Sequence, residues 1–198
     1  DLKSSVDIAV DFHASNLHLK EAPQIRILDG LHKNLLPLAI QCNVDLIWVH
    51  PASPMFESTL GYNLNQARVK TLVIETGIGL RLHRKFADQL FQGMLNLLYH
   101  VGVIVTSNPQ PKVDHPIIIH PSQVVLLQSE HAGLFVGHTD IKKTIAKGEL
   151  IGKVVGATNG EILQEVTAPE SGFLFTIREH PLVYPGAPVA RIARKDMD

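Results

Sequence analysis

The chain has 198 residues, 45% of them hydrophobic, and its 18 Lys and Arg residues nearly balance its 19 Asp and Glu residues. A chain of this length buries one substantial core or two smaller ones, which predicts a folded globular protein. A formal charge of -1 argues against nucleic acid as a partner. Apolar runs far shorter than the ~20 residues of a membrane helix argue against a membrane partner.

Residues 1–106 alternate strand-like and helix-like patterns, which predicts an α/β layer structure. A polar segment rich in His, Asn and Lys separates the first strand from the first helix and is predicted as a loop. The predicted elements are a strand ending at His13, a helix over 31–41, a strand over 44–50, a helix over 57–66 entered through Ser58 or Thr59, a strand over 71–75, and a helix over 84–101.

The last of these helices carries an apolar stripe, which predicts that one face lies in the core. Gly102 follows it in the position where a glycine ends a helix. The stripe consists of Phe86, Leu90, Phe91, Met94, Leu97, Leu98 and Val101.

Residues 106–112 contain two prolines and small polar residues, and they predict a linker. Residues 107–198 then show short strands separated by glycines, and a pattern that starts at Ala132 returns at Ser171. This half resembles the barrel-sandwich domains of biotinyl and lipoyl carriers. The tip of its central hairpin, residues 157–161, holds no lysine to be modified, so we expect a structural or substrate-gating role.

His13 and Glu75 stand at the carboxyl ends of two strands predicted to be buried, and open α/β sheets bind ligands at such ends. Asp11, two residues before His13, points to the same face and is able to hold the imidazole or line the site. A histidine at a strand end is also compatible with a purely structural role. His50, at the end of the middle strand, has the same two interpretations, a cleft residue or a packing residue.

Glu75 follows an apolar run and precedes Thr76-Gly77-Ile78-Gly79, where glycines let the backbone turn or approach a ligand closely. A carboxylate beside an apolar core suits a general base. The alternative is a structural ion pair with Arg81 or Arg84. The lone Cys42 and the absence of a Gly-x-Ser-x-Gly motif make cysteine and serine hydrolase chemistry poor interpretations.

Taken together, these segments resemble the succinylglutamate desuccinylase and aspartoacylase family, zinc-dependent amidohydrolases related to the metallocarboxypeptidases. The matching segments are Val10-Asp11-Phe12-His13 and Thr71-Leu72-Val73-Ile74-Glu75-Thr76-Gly77. The resemblance implies the second half of a mixed-sheet, zinc-carboxypeptidase-like α/β domain over 1–106, followed by an all-β barrel-sandwich domain over 107–198.

The resemblance also implies the chemistry. His13 would be the third protein ligand of a catalytic Zn²⁺, and Glu75 the base that activates the metal-bound water and then protonates the leaving amine. Arg81 would bind the substrate carboxylate and Asp11 would help form the substrate site. The substrate would be a small acylated amino acid, cut at its amide bond.

The chain departs from the family pattern because no His-x-x-Glu and no Arg and Asn segment precede His13. The chain does not begin with Met, and we therefore expect it to be a piece of a longer protein whose N-terminal segment supplies the other zinc ligands. The lone Cys42 agrees with a reducing, cytoplasmic location. A homo-oligomer is compatible with the sequence.

Two alternatives to a deacylase remain open from the sequence. One is a metallocarboxypeptidase that acts on peptides, which requires a cleft open enough to admit an extended chain. The other is a non-catalytic binding or assembly protein that has kept the fold and lost its metal.

Overall fold

The computed structural model describes residues 5–51, 53–54, 57–105 and 112–194. These residues form two compact units, each assembled from separate parts of the chain. The first comprises Asp1–His13, Pro23–Thr76 and Leu82–Pro121, and the second comprises Ala14–Ala22, Gly77–Arg81 and Ser122–Asp198.

The division expected from the sequence, at residues 106 and 107, was continuous, whereas the compact units are not. Residues 106–111 of the predicted linker lie outside the described residues. The linker and the two-domain boundary therefore stay predictions.

The first unit contains a mixed sheet in which the strands follow the order β1-β4-β2-β3-β5. Strand β2 runs parallel to β3, and β3 runs parallel to β5. The strands are β1 (Ile8–Ala14), β2 (Leu19–Leu28), β3 (Leu46–His50), β4 (Lys70–Gly77) and β5 (Ile117–Ile119).

The helices of this unit lie close to their predicted positions, and they are α1 (His32–Ala39), α2 (Leu60–Gln66) and α3 (Arg84–His100). Thr59 caps α2, since its Oγ1 accepts a hydrogen bond from Tyr62 N. Gly102 follows α3 with φ +77°, as predicted for a helix-ending glycine. No helix among the described residues is long and apolar enough to cross a membrane.

Helix α3 packs on a narrower face than the stripe predicts. Leu90 and Leu97 are buried, but Phe91 is 61% exposed and Leu98 is 37% exposed, so their assignment to the core was wrong. The reason lies at Gly93, where a Cβ would stand 1.9 Å from the carbonyl oxygen of Cys42. This close approach fixes the rotation of the helix and turns the outer apolar positions towards solvent.

Strand β2 is the largest difference from the sequence-based expectation, because it forms within the segment between His13 and the first helix that was predicted as a loop. One of its polar side chains is deeply buried and has a distant partner. Glu21 is 1% exposed and its Oε1 accepts a hydrogen bond from Arg191 Nη1 at 2.9 Å, within the second unit. Since Arg191 is 170 positions away, the sequence around Glu21 carries no sign of its partner and looks like a solvated loop.

The core of the first unit lies between the sheet and its helices. Burial of such side chains stabilises the fold by roughly 1.5–3 kcal/mol each. The core includes Ile25, Ile27, Leu35, Cys42, Ile47, Leu72, Ile74, Leu90 and Leu97.

The second unit is built from antiparallel strands. Strand β11 pairs with β13, with β8 and with residues 19–21 of β2, while β13 pairs with β6. A separate antiparallel sheet has the order β10-β9-β7-β12. The strands are β6 (Val124–Gln128), β7 (Gly133–Gly137), β8 (Lys143–Ile145), β9 (Leu150–Val155), β10 (Ile162–Thr167), β11 (Gly172–Arg178), β12 (Leu182–Val183) and β13 (Pro188–Arg194).

A mixed α/β unit and an antiparallel β unit are thus present. The finer assignment of the β unit as a barrel-sandwich stays a prediction.

Candidate functional site

The first unit contains a cavity of about 260 Å³ that is lined by His13 and Glu75, the predicted zinc ligand and the predicted base. His13 is on β1 and Glu75 is on β4, and these two strands are neighbours in the sheet. Both strands begin at the same end, where Lys70 N donates to Asp7 O at 3.1 Å. An imidazole and a carboxylate that are 62 positions apart in the sequence therefore open into one small cavity.

Asp11 lies beside His13, as expected for residues two apart on a strand. His13 Nε2 is 2.9 Å from Asp11 Oδ2, and the His13 side chain is about half exposed at 49%. A carboxylate that engages one ring nitrogen fixes the ring orientation and leaves the other nitrogen, Nδ1, for a ligand or a proton. Asp11 lines the cavity as well.

Glu75 forms an ion pair with Arg26 of β2, with Arg26 Nη1 at 3.6 Å from Glu75 Oε1. The predicted alternatives for this pair, Arg81 and Arg84, are thus replaced by an arginine on a strand that the sequence did not predict. The ion pair fixes one carboxylate oxygen of Glu75 beside a guanidinium. Both side chains line the cavity.

The aromatic side of the site is formed by β3. The Trp48 indole stacks on the His50 imidazole with ring centroids 4.2 Å apart, and the Arg26 guanidinium lies 5.8 Å from the centre of the Trp48 ring. His50 lines the cavity, in line with the first of its two interpretations. The stacked pair supports Arg26 from the side away from Glu75's strand, because β2 lies between β4 and β3.

Arg81 belongs to the second unit and does not contribute to the described lining of this cavity. Its Nη1 donates to Glu179 Oε1, and its side chain is 63% exposed. This is the surface ion pair that competes with a substrate role. Binding of a substrate carboxylate by Arg81 stays a prediction.

Cys42 has no place in the chemistry of the site. It is fully buried in the core, and this burial raises the pKa of its thiol to about 12. Because the thiolate is the nucleophilic form, a buried thiol of this kind is inert near neutral pH.

The described residues do not by themselves form a zinc site. No group of at least three His, Cys, Asp or Glu side chains in the described part of the chain is arranged to hold a metal ion. A catalytic zinc ion takes three protein ligands and leaves one position open. His13, oriented by Asp11, has the arrangement of one such ligand with its supporting carboxylate.

Arg26 is the functional candidate that sequence reasoning missed. The one signal in the sequence is a charged residue inside the apolar run Ile25-Arg26-Ile27. A charge in such a run needs a partner when it is buried, and a cavity-facing carboxylate is the partner that the structure provides.

Comparison with known proteins finds similarity at the level of structure. No family sequence model and no curated protein matches the chain. A succinylglutamate desuccinylase from a Silicibacter species superposes with a TM-score of 0.78 at 22% identity, over 98% of this chain and 60% of that protein.

Two further solved structures are similar over the same extent. The ectoine utilization protein EutE (DoeB) from Ruegeria pomeroyi, in its product-bound form, gives a TM-score of 0.76 at 18% identity, over 98% of this chain and 61% of that one. A succinylglutamate desuccinylase/aspartoacylase from Rhodobacter sphaeroides gives a TM-score of 0.77 at 19% identity, over 100% of this chain and 62% of that one. The chain spans about 60% of the length of these proteins, and it has the fold of succinylglutamate desuccinylase/aspartoacylase family proteins.

Proposed function

We propose that the protein containing this chain belongs to this family and is a hydrolase that cleaves the amide bond of a small N-acylated amino acid. The observation that carries the proposal is the shared cavity of His13 and Glu75. The similarity to proteins described as desuccinylases supports the reaction class. A small cavity of about 260 Å³ suits a small amide better than an extended peptide.

In the proposed reaction Glu75 accepts a proton from a water molecule, while the oxygen of that water molecule bonds to the amide carbonyl carbon. When the carbon–nitrogen bond breaks, Glu75 delivers that proton to the leaving amine. Arg26 holds the Glu75 carboxylate at the cavity wall. Asp11 orients His13 at the neighbouring strand end.

Among the described residues, we propose His13 alone as a zinc ligand. Bound zinc supplies a Lewis acid for a carbonyl group and an acidified water molecule. The chain covers about 60% of the similar structures, and we propose that an N-terminal segment of the same protein supplies the remaining ligands. We also propose a barrel-sandwich fold with a structural role for the second unit, a cytoplasmic location and a homo-oligomer.

Replacement of the base tests the proposal. Glu75→Gln, in the protein as its host produces it, should lower kcat for an N-acyl amino acid by about 10²–10⁴-fold. The matched control is Glu130→Gln, which alters an exposed carboxylate outside the cavity lining and should leave kcat unchanged. Release of the free amine is the measured quantity.

A metal analysis separates this proposal from the non-catalytic alternative, which the lack of a three-ligand group in the described residues favours. We expect close to one zinc per protein molecule and its loss in His13→Ala. Fewer than about one zinc per ten molecules, together with equal activity of wild type and Glu75→Gln, would contradict the deacylase proposal.

A further inference from the structure

The cavity changes in character along strand β4. The side chains of Thr71, Val73 and Glu75 alternate onto one side of this strand and all line the cavity. From Glu75 towards the start of β4, the cavity wall therefore changes from charged to apolar. Helix α2 lies directly against this wall, since a Cβ on its Gly61 would stand 2.5 Å from Val73 Cγ2.

The wall away from Glu75 is completed by apolar side chains from three elements. Leu31 and Leu35, four positions apart, come from the beginning and the body of α1 and face the cavity from the same side of that helix. Ile27 comes from β2 and Leu60 from the first residue of α2.

Two polar side chains in this part of the wall, Asn65 and Thr71, form hydrogen bonds within the protein. Asn65 Nδ2 donates to the carbonyl oxygens of Gly61 and Thr71, and Asn65 Oδ1 accepts from Thr71 N. Thr71 Oγ1 donates to the carbonyl oxygen of Val69. A ligand group placed here meets mainly methyl and methylene groups, with the Tyr62 phenol also in the lining.

The apolar end of the cavity offers no cation from the described lining to an anionic group. Within the described lining the charged side chains are Arg26, Asp11 and Glu75, one cation against two carboxylates. The cation already faces Glu75 at 3.6 Å. A carboxylate on the distal end of a substrate would be desolvated against apolar side chains without a cation of its own, which is costly.

We propose that this cavity selects substrates with an uncharged, apolar group next to the scissile amide, in place of a second carboxylate. The inference deepens the proposed function and rests on it, because the ligand is a substrate only if the protein is a hydrolase. The preference of the cavity for an apolar ligand does not depend on catalysis. A cavity of 150 Å³ holds benzene, so a cavity of 260 Å³ leaves room for an apolar group of about the size of benzene beside the amide.

Binding of simple amides tests the proposal directly. The probes are N-methylhexanamide and N-methylsuccinamate, which share the amide and differ at the end of the acyl chain, and N-hexylacetamide, which carries the apolar chain on the amine side. Fluorescence of Trp48, the chain's single tryptophan, reports binding because its ring stacks on the cavity residue His50. We expect N-methylhexanamide to bind at least about tenfold more tightly than N-methylsuccinamate.

A positive charge introduced at the cavity wall, with the same charge introduced elsewhere, provides the matched variants. Leu60 lines the cavity and is 58% exposed, so Leu60→Arg is tolerated by the fold and places a cation at the apolar end. It should reduce the preference for N-methylhexanamide by about tenfold or more. Leu82→Arg introduces the same charge at a fully exposed leucine outside the cavity lining and should leave the preference unchanged.

The outcomes separate the two proposals. Tight binding of N-methylhexanamide without hydrolysis of any acyl amino acid supports the apolar selectivity and contradicts the deacylase. Equal or tighter binding of N-methylsuccinamate to the wild type overturns the selectivity, as does an equal effect of Leu60→Arg and Leu82→Arg. If N-hexylacetamide binds as tightly as N-methylhexanamide, the apolar group can lie on either side of the amide and the selectivity is supported for both.

Discussion

The ion pair between Arg26 and Glu75 joins two strands at the wall of the cavity, and both side chains are mostly buried, with exposures of 29% and 16%. A charge that loses its partner in such a place keeps its desolvation penalty. We therefore expect Arg26→Met to lower the free energy of unfolding by roughly 1–2 kcal/mol, between the values for exposed and fully buried pairs. Urea unfolding measures this change.

A double-mutant cycle with Glu75→Gln isolates the pair from the other contacts of the two side chains. The double variant should be more stable than the sum of the single changes predicts. Lys153→Met is the matched control, because the Lys153 pair with Glu165 is more exposed, at 34% and 56%, and should contribute less than about 1 kcal/mol. An Arg26→Met variant as stable as the wild type would show that the pair does not hold the site together.

The sequence identified the candidate residues His13 and Glu75, but it did not identify Arg26, which pairs with Glu75. His13 and Glu75 stand at the ends of apolar runs, and that local pattern together with the family resemblance selected them. Arg26 was not identified because its reason for being charged is a carboxylate that is 49 positions away in the sequence and adjacent only across the sheet.

Helix α3 shows how an element can be predicted while its packing is not. Its bounds follow from periodicity and from the glycine at its end, and both agree with the structure. Its buried face does not follow, because the closest contact is made by Gly93 against the Cys42 carbonyl. A glycine adds nothing to an apolar stripe, although here it determines which residues can be buried.

Gly93→Ala tests this account of the helix. Alanine has the higher helix propensity, by about 1 kcal/mol, so local preference alone predicts stabilisation. The steric contact predicts the opposite sign, a loss of about 1–3 kcal/mol or more, since the added Cβ has no room. Gln92→Ala, at the exposed neighbouring position, should be neutral or slightly stabilising in the same urea unfolding experiment. Stabilisation by Gly93→Ala would contradict the close packing.

Strand β2 was predicted as a loop for a related reason. Its sequence contains Pro23 and several polar residues, features that usually exclude a central strand. In the structure Glu21 is paired with Arg191, and Pro23 lies where the strand passes from the second compact unit to the first. Local sequence describes the cost of burying a polar group but not the distant partner that offsets the cost.

The unfolding of the whole protein is linked to the ionisation of Cys42. Burial raises the pKa of this thiol from 9.0 to about 12 in the folded state. The folded protein thus holds its proton where the unfolded chain releases it, so the stabilising effect is complete below pH 9 and declines as the pH rises above it. Between pH 8 and pH 10 this group alone should lower the free energy of unfolding by about 1 kcal/mol.

Comparison with Cys42→Ala isolates this contribution, since the variant lacks the ionisable group. The wild type should lose more stability than the variant between the two pH values, measured by urea unfolding under reducing conditions. In the native wild type, thiol-labelling reagents should react only after unfolding. Rapid stoichiometric labelling of the native protein, or equal pH dependence of the two proteins, would show that the thiol is accessible.

For the molecule as a whole, the sequence by itself determined an α/β part followed by a β part, the approximate bounds of helices α1, α2 and α3, and two chemically able side chains at strand ends. These features follow from short-range periodicity and turn chemistry, which depend on neighbouring residues alone. The tertiary structure decided the discontinuous make-up of the two compact units, the course of β2, the partner of Glu75 and the apolar wall of the cavity. Each of these depends on residues that are far apart in the sequence and meet only when the chain has folded, so no local pattern contains them.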